Sequence, residues 1–145
     1  MLSKMTVQEM FDKYCKKDSY GYNCHGLNAI IQPASEQEIT EFKNLCERYG
    51  VAPKIEEKME VYYRQNNNFF NYYTCDDSAI FSWWEGAEQR QIWLGCLNDD
   101  SFVYDETSEK YWIGEAGDDS IGTYDTLMEM LEAYLREGWE NGWNE

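Results

Sequence analysis

The stretch Gln91-Ile92-Trp93-Leu94-Gly95-Cys96-Leu97-Asn98-Asp99-Asp100-Ser101-Phe102-Val103-Tyr104-Asp105-Glu106-Thr107-Ser108-Glu109-Lys110-Tyr111-Trp112-Ile113 decides the fold. Its apolar runs, Ile92 to Leu97, Phe102 to Tyr104 and Tyr111 to Ile113, alternate with polar turns at 98–101 and 105–110. β-Branched and aromatic residues bounded by Asn, Asp and Ser are the pattern of strands joined as hairpins. The turn residues bond their own backbone through their side chains. Three short antiparallel strands are therefore predicted. The runs are apolar on both faces, so at least one face must be covered, and the helices on either side of this stretch are the candidates.

Upstream, Thr6-Val7-Gln8-Glu9 has the spacing of a capping box, and Val7, Met10, Phe11 and Tyr14 follow on one helical face. Residues 18–34 read as a loop with a short extended Ala29-Ile30-Ile31 before Pro33. Ser35-Glu36-Gln37-Glu38 is a second capping box, followed by Ile39, Phe42, Cys46 and Tyr49 at helical period and by Gly50 where a C′ glycine belongs. Pro53 suits the first turn of a third helix, whose buried face is Ile55, Met59, Tyr62 and Tyr63. That helix is predicted to stop at Asn66-Asn67-Asn68, residues that compete with helix and tolerate the left-handed conformation.

Ala79 to Trp84 reads as a further strand. Downstream of the central stretch, 114–122 is an acidic, glycine-rich loop, and a last helix begins at Thr123 or Tyr124. Leu127, Met130, Leu131, Tyr134 and Leu135 form its apolar stripe, Gly138 ends it, and the tail after it docks through Trp139 and Trp143 or frays. Segregated helices and strands joined by short turns favour one α+β domain over 1–145, with an antiparallel sheet of four to six strands packed by helices.

The totals narrow the function classes. Of 145 residues, 17% are aromatic, and the formal charge is −16. Residues 1–72 hold 9 basic and 10 acidic residues, whereas 73–145 hold 3 and 18. So acidic a half repels phosphates and argues against nucleic acid as a partner, and it attracts a basic partner. No apolar run has the length of a membrane helix, and Met1-Leu2-Ser3-Lys4-Met5 lacks a signal-peptide core, so a cytoplasmic location and no membrane partner are expected. Cys15, Cys24, Cys46, Cys75 and Cys96 are odd in number, without Cys-x-x-Cys spacing, and are expected to be reduced small hydrophobes rather than zinc ligands or a disulfide framework.

No catalytic, metal or cofactor site is predicted. His25 is the only histidine, and a loop histidine is the plainer reading than a catalytic one. Asp99-Asp100, Asp105-Glu106 and Asp118-Asp119 bring oxygen ligands, but 99–109 lacks the glycine and the alternation of a calcium loop. The loop Gly114-Glu115-Ala116-Gly117 carries acids and no Lys, which excludes a phosphate cradle. Trp83-Trp84 and Tyr72-Tyr73 are consecutive pairs, and in a strand one of each pair leaves the core unless both faces are covered. An exposed member would serve as a binding anchor or a sugar-stacking platform.

The order of signals resembles the SUKH superfamily, also called the cell-wall (glucan) synthesis regulator family. The segments that carry the resemblance are Ala34-Ser35-Glu36-Gln37-Glu38-Ile39-Thr40-Glu41-Phe42 at the entry helix, Val51-Ala52-Pro53 with Val61-Tyr62-Tyr63-Arg64-Gln65-Asn66-Asn67, and Ile92-Trp93-Leu94-Gly95. Phe102-Val103-Tyr104-Asp105 and Lys110-Tyr111-Trp112-Ile113-Gly114 resemble its paired strands, and Thr126-Leu127-Met128-Glu129-Met130-Leu131 its closing helix. The family's Asn-Gly stop is Asn66-Asn67-Asn68 here, and 1–33 has no counterpart, so 34–138 is the family-like core.

The resemblance implies no enzymatic activity. Bacterial members are mostly immunity proteins that bind a cognate toxin, and fungal members regulate cell-wall synthesis. Two functions follow: a cytoplasmic immunity-type domain that binds a basic toxin surface, or a glucan-synthesis regulator or sugar-binding module. The expected partner-binding residues are Asp99, Asp100, Glu115, Asp118 and Asp119, on turns predicted to share one end of the sheet, with Trp83, Trp84, Tyr72 and Tyr73 as anchors.

Overall fold

A computed structural model describes residues 5–67, 81–82, 91–97, 100–106, 108–115 and 118–145. The capping boxes act as their spacing predicts. Thr6 Oγ1 accepts from Glu9 N–H at 3.1 Å, and Glu9 Oε1 accepts from Thr6 N–H at 3.1 Å, starting α1 at Val7–Tyr14. Ser35 and Glu38 make the same reciprocal pair at the head of α2, Glu36–Tyr49. At its far end Gly50 is left-handed (φ 65°), and the Gly50 and Val51 N–H groups donate to the Glu47 and Cys46 carbonyls, a Schellman closure. Pro53 opens α3, Pro53–Gln65, whose buried face is Ile55, Met59, Tyr62 and Tyr63. Phe42 of α2 meets Tyr63 of α3 edge-on, 5.2 Å between ring centroids.

Helix α3 stops at Asn66, as expected, in an extended conformation (φ −159°). Asn66 is fully buried and finds partners that way. Its Nδ2 donates to the Tyr62 hydroxyl at 3.0 Å, and its Oδ1 accepts from Gln32 N–H at 3.2 Å. Asn67 N–H donates to the Gln32 carbonyl at 2.6 Å and Ala34 N–H to the Tyr63 carbonyl at 2.9 Å, so 32–34 runs along the end of α3.

The loop expected over 18–34 is instead largely a three-stranded antiparallel sheet: β1 Lys17–Asp18, β2 Gly21–Cys24 and β3 Leu27–Ala29. Its alternation is short and is carried by Tyr22 and Cys24, both buried. The β2–β3 turn is His25-Gly26, with φ 50° and 84°. Positive φ at both central residues is the two-residue hairpin turn that matches strand twist, with His in place of the usual Asn or Asp.

The second sheet is a five-strand meander, β4 Phe81–Ser82, β5 Gln91–Leu97, β6 Asp100–Asp105, β7 Lys110–Glu115 and β8 Asp118–Tyr124, antiparallel throughout in chain order. The α+β class and antiparallel pairing match the sequence reading, although two sheets form rather than one. Of the strand expected at 79–84, 81–82 is described. The acidic stretch expected to be a loop is mostly strand: Tyr124 pairs with Tyr111, Thr123 with Trp112 and Gly122 with Ile113.

The last helix, α4, Leu127–Glu140, starts later than expected. Thr126 is its N-cap and accepts from Glu129 N–H at 3.1 Å, while Asp125 lies before the cap and pairs with Lys110. It packs on β7, β8 and α1. Leu127, Met130, Leu131, Tyr134 and Leu135 are buried with Leu94, Phe102, Tyr104, Tyr111 and Ile113 in one core, and Phe102 meets the Tyr134 ring edge-on at 5.0 Å. Gly138 does not end this helix. Gly142 (φ 75°) does, with the Gly142 and Trp143 N–H groups donating to the Trp139 and Gly138 carbonyls.

Two predictions follow from this packing. Leu131 is fully buried, so Leu131→Ala is expected to cost about 2–5 kcal/mol in chemical denaturation; a loss under about 0.5 kcal/mol, the usual range for surface changes, contradicts the placement. The second concerns Tyr22, which joins β2 to α1. Its hydroxyl donates to Asp12 and accepts from Gln8 Nε2. Burial, then the Asp12 carboxylate, pushes its phenol up from 10.0 to about 12. The folded pKa is raised, so the contribution is complete below pH 10 and is lost as pH rises through about 12. Unfolding followed by circular dichroism should show stability falling across that window, and Tyr22→Phe should lessen the slope while lowering stability at neutral pH.

Candidate functional site

Sheet register decides which acids meet. Asp100, the first residue of β6, pairs with Glu115, the last of β7, and Glu115 pairs with Asp118, the first of β8. Adjacent strands lie about 4.8 Å apart, so these register positions span roughly 10 Å at one end of the sheet. Asp119 follows in β8. The β5–β6 turn closes at the same end, since Leu97 pairs with Asp100. Asp99 within that turn lies outside the described residues, as do Trp83, Trp84, Tyr72 and Tyr73.

The opposite end is built differently. The β6–β7 turn begins with Asp105, almost buried at 8% exposure, whose Oδ1 accepts from Ser108 N–H at 3.2 Å. Glu109 takes a left-handed conformation (φ 58°) and forms an ion pair with Lys54 at the start of α3. Lys110 pairs with Asp125 ahead of α4. Acids at this end are thus used inside the fold, against cations from α3 and the sheet itself.

His25 holds a structural place. Its ring stacks on Tyr134, centroids 3.8 Å apart and planes 3° from parallel, and Nε2 lies 2.8 Å from the Tyr134 carbonyl. The contact to a carbonyl acceptor places a proton on Nε2. Its backbone N–H donates to Asn144 Oδ1 at 2.8 Å. Among the described residues no three His, Cys, Asp or Glu side chains gather as a metal site, and no helix is long and apolar enough to cross a membrane.

Asn144 is the residue that sequence reading missed. It is fully buried. Its Nδ2 donates to the Tyr14 carbonyl at 2.9 Å and the Leu135 carbonyl at 2.8 Å, and its own carbonyl accepts from Lys16 N–H at 2.9 Å. The tail therefore docks through a carboxamide, while Trp139 and Trp143 stay 46% and 48% exposed. The available signal was Asn141-Gly142, an Asn-Gly pair that begins three residues after Gly138 and marks a later stop.

Comparison with protein-family models, with curated proteins and with solved structures finds no match.

Asn144→Ala would remove the side-chain bonds to the buried Tyr14 and Leu135 carbonyls and to the part-buried His25 amide, and a buried group left without its partner costs about 1–3 kcal/mol. Several kcal/mol of lost stability are expected. A Cβ on Gly138 would stand 2.3 Å from Asn144 Oδ1, so Gly138→Ala should displace the same tail despite the better helix propensity of Ala. Urea titration of both variants checks this; wild-type stability in either one would show that the tail does not anchor the fold.

Proposed function

We propose that this chain is a non-enzymatic, cytoplasmic protein-binding domain of the immunity type, which neutralises a toxin domain by binding its basic surface. The observation that carries the reading is the register row Asp100–Glu115–Asp118 at one sheet end, in the half of the chain with 18 acids against 3 bases. The fold uses the acids of the opposite end in internal bonds and ion pairs. A basic protein surface is the partner that the charge of this row fits. The resemblance of 34–138 to the SUKH superfamily adds support, because immunity by binding requires no catalytic group. The carbohydrate-linked role rests on Trp83, Trp84, Tyr72 and Tyr73, and no described contact favours it.

The test is to neutralise the row together, as Asp99→Asn, Asp100→Asn, Glu115→Gln, Asp118→Asn and Asp119→Asn. A partner isolated from native lysate is then followed by stopped-flow association at two salt concentrations. Rim charges act mainly on the rate of encounter, so association at low salt should slow by about tenfold or more and lose much of its salt dependence. An unchanged rate and salt slope would move the interface elsewhere and leave the acidity as a solubility device. A partner of polysaccharide rather than protein would select the glucan-linked role.

A further inference from the structure

The β1–β2 register, continued upstream, brings two cysteines face to face. Lys17 pairs with Tyr22 and Asp18 with Gly21, so Lys16 falls opposite Asn23 and Cys15 opposite Cys24. The backbone follows that continuation. Cys15 is extended (φ −129°, ψ 136°), and Asn23 N–H donates to the Lys16 carbonyl at 2.8 Å. That bond puts Lys16 and Asn23 at a hydrogen-bonded position of the ladder, of which one bond is made while the Lys16 N–H goes to the Asn144 carbonyl, and Cys15 and Cys24 fall at the next, non-hydrogen-bonded one. Opposed residues of that kind have Cα atoms about 4.5 Å apart, within the roughly 4.4–6.8 Å a disulfide spans. Both side chains are buried, at 5% and 0% exposure. Both are reduced in this structure, as is Cys46.

We propose that Cys15 and Cys24 are a reversible disulfide site, oxidised by exchange with a small aliphatic disulfide of the glutathione type. The more accessible Cys15, as thiolate, attacks one sulfur of the small disulfide and releases one aliphatic thiolate, which takes up the proton. Cys24 then gives its proton to solvent and attacks the Cys15 sulfur, expelling the second aliphatic thiol. Two protein thiols are oxidised and one small disulfide is reduced to two thiols, so atoms and electrons balance. The bridge ties the end of α1 to the end of β2, next to the His25 turn that Asn144 holds. The neighbouring Cys15 thiol, then burial, pushes the Cys24 thiol up, which keeps it protonated while the segment stays closed. This site is independent of the acidic sheet end and of the partner proposed for it.

The experiment refolds the full chain from denaturant in buffers of increasing oxidised-to-reduced glutathione ratio, quenches by alkylation and maps disulfides by mass spectrometry of tryptic peptides. Cleavage after Lys13, Lys16, Lys17 and Lys43 isolates Cys15 and Cys24 on separate peptides, each with no other cysteine. The expected result is a Cys15–Cys24 linked pair that outnumbers every other pairing, disappears with dithiothreitol and raises Tm relative to the reduced protein, because the cross-link restricts the unfolded chain. Single glutathione adducts in its place, bridges to other cysteines in equal amount, five free thiols in the most oxidising buffer, or a linked protein that melts below the reduced one would each overturn the proposal. The mapping uses the natural chain, so it does not depend on a variant that folds.

Discussion

A single buried carboxamide, that of Asn144, bonds three separate segments of the fold. An uncompensated amide in an apolar interior costs several kcal/mol, so Asn144 is tolerable only where its groups are met. The fold meets them with the Tyr14 and Leu135 carbonyls and the His25 amide. Those partners belong to α1, α4 and the β2–β3 turn, elements that share no sequence neighbourhood. Gly138 is the condition for it, since a side chain there would occupy the space the carboxamide fills. A satisfied buried network of this kind fixes one arrangement more sharply than apolar packing does. The apolar stripe of α4 says that this helix must be covered, and Asn144 says which segments come to lie at its end.

The meander imposes a second constraint. In an antiparallel sheet built from consecutive hairpins, turns alternate between the two ends, and every charge in a turn is assigned to one end by parity. Asp100, Glu115 and Asp118 thus share an end through register, whatever else the chain does. At the other end the same parity brings Glu109 within reach of Lys54 and Lys110 within reach of Asp125. Exposed pairs of this kind contribute little to stability. Their meaning is positional, because they set a cation against an acid at this end, Lys54 from α3 and Lys110 from β7. That asymmetry is the feature on which the proposed partner surface rests.

Much of this was legible because it is local. The Thr6–Glu9 and Ser35–Glu38 boxes, Gly50, Pro53 and the apolar stripes each act within a few residues of sequence, and their side chains do what their spacing says. The errors arise where a residue's role is set by a distant segment. Residues 17–29 pass for a loop because their buried positions are only Tyr22 and Cys24, too few for a visible alternation. Residues 118–122 pass for part of a glycine-rich loop because pairing with β7, rather than strand propensity, makes them a strand; Gly122 is paired with Ile113 there. Gly138 has the right residue type for a helix end, but its glycine answers a packing demand from Asn144 and leaves the stop to Gly142. The parity that gathers the acidic turns was readable, since it needs only the count of strands between them, whereas the bulges between Trp93 and Gly95 and between Ile113 and Glu115 were not.

The exposed tryptophans follow from the same hierarchy. A tail held by apolar burial would have turned Trp139 and Trp143 inward, since each offers far more transferable surface than a carboxamide. The chain instead spends the interior position on Asn144 and leaves both rings about half exposed. Trp143 still lies beside His25, 5.3 Å between ring centroids, so it flanks the stacked His25–Tyr134 pair rather than entering the core. Geometry explains the choice. The last turn of α4 presents a glycine gap with carbonyls at its edge, which a small acceptor-donor side chain fills and an indole does not. The polar contact therefore determines where the tail lies, and the surrounding aromatics adapt to it.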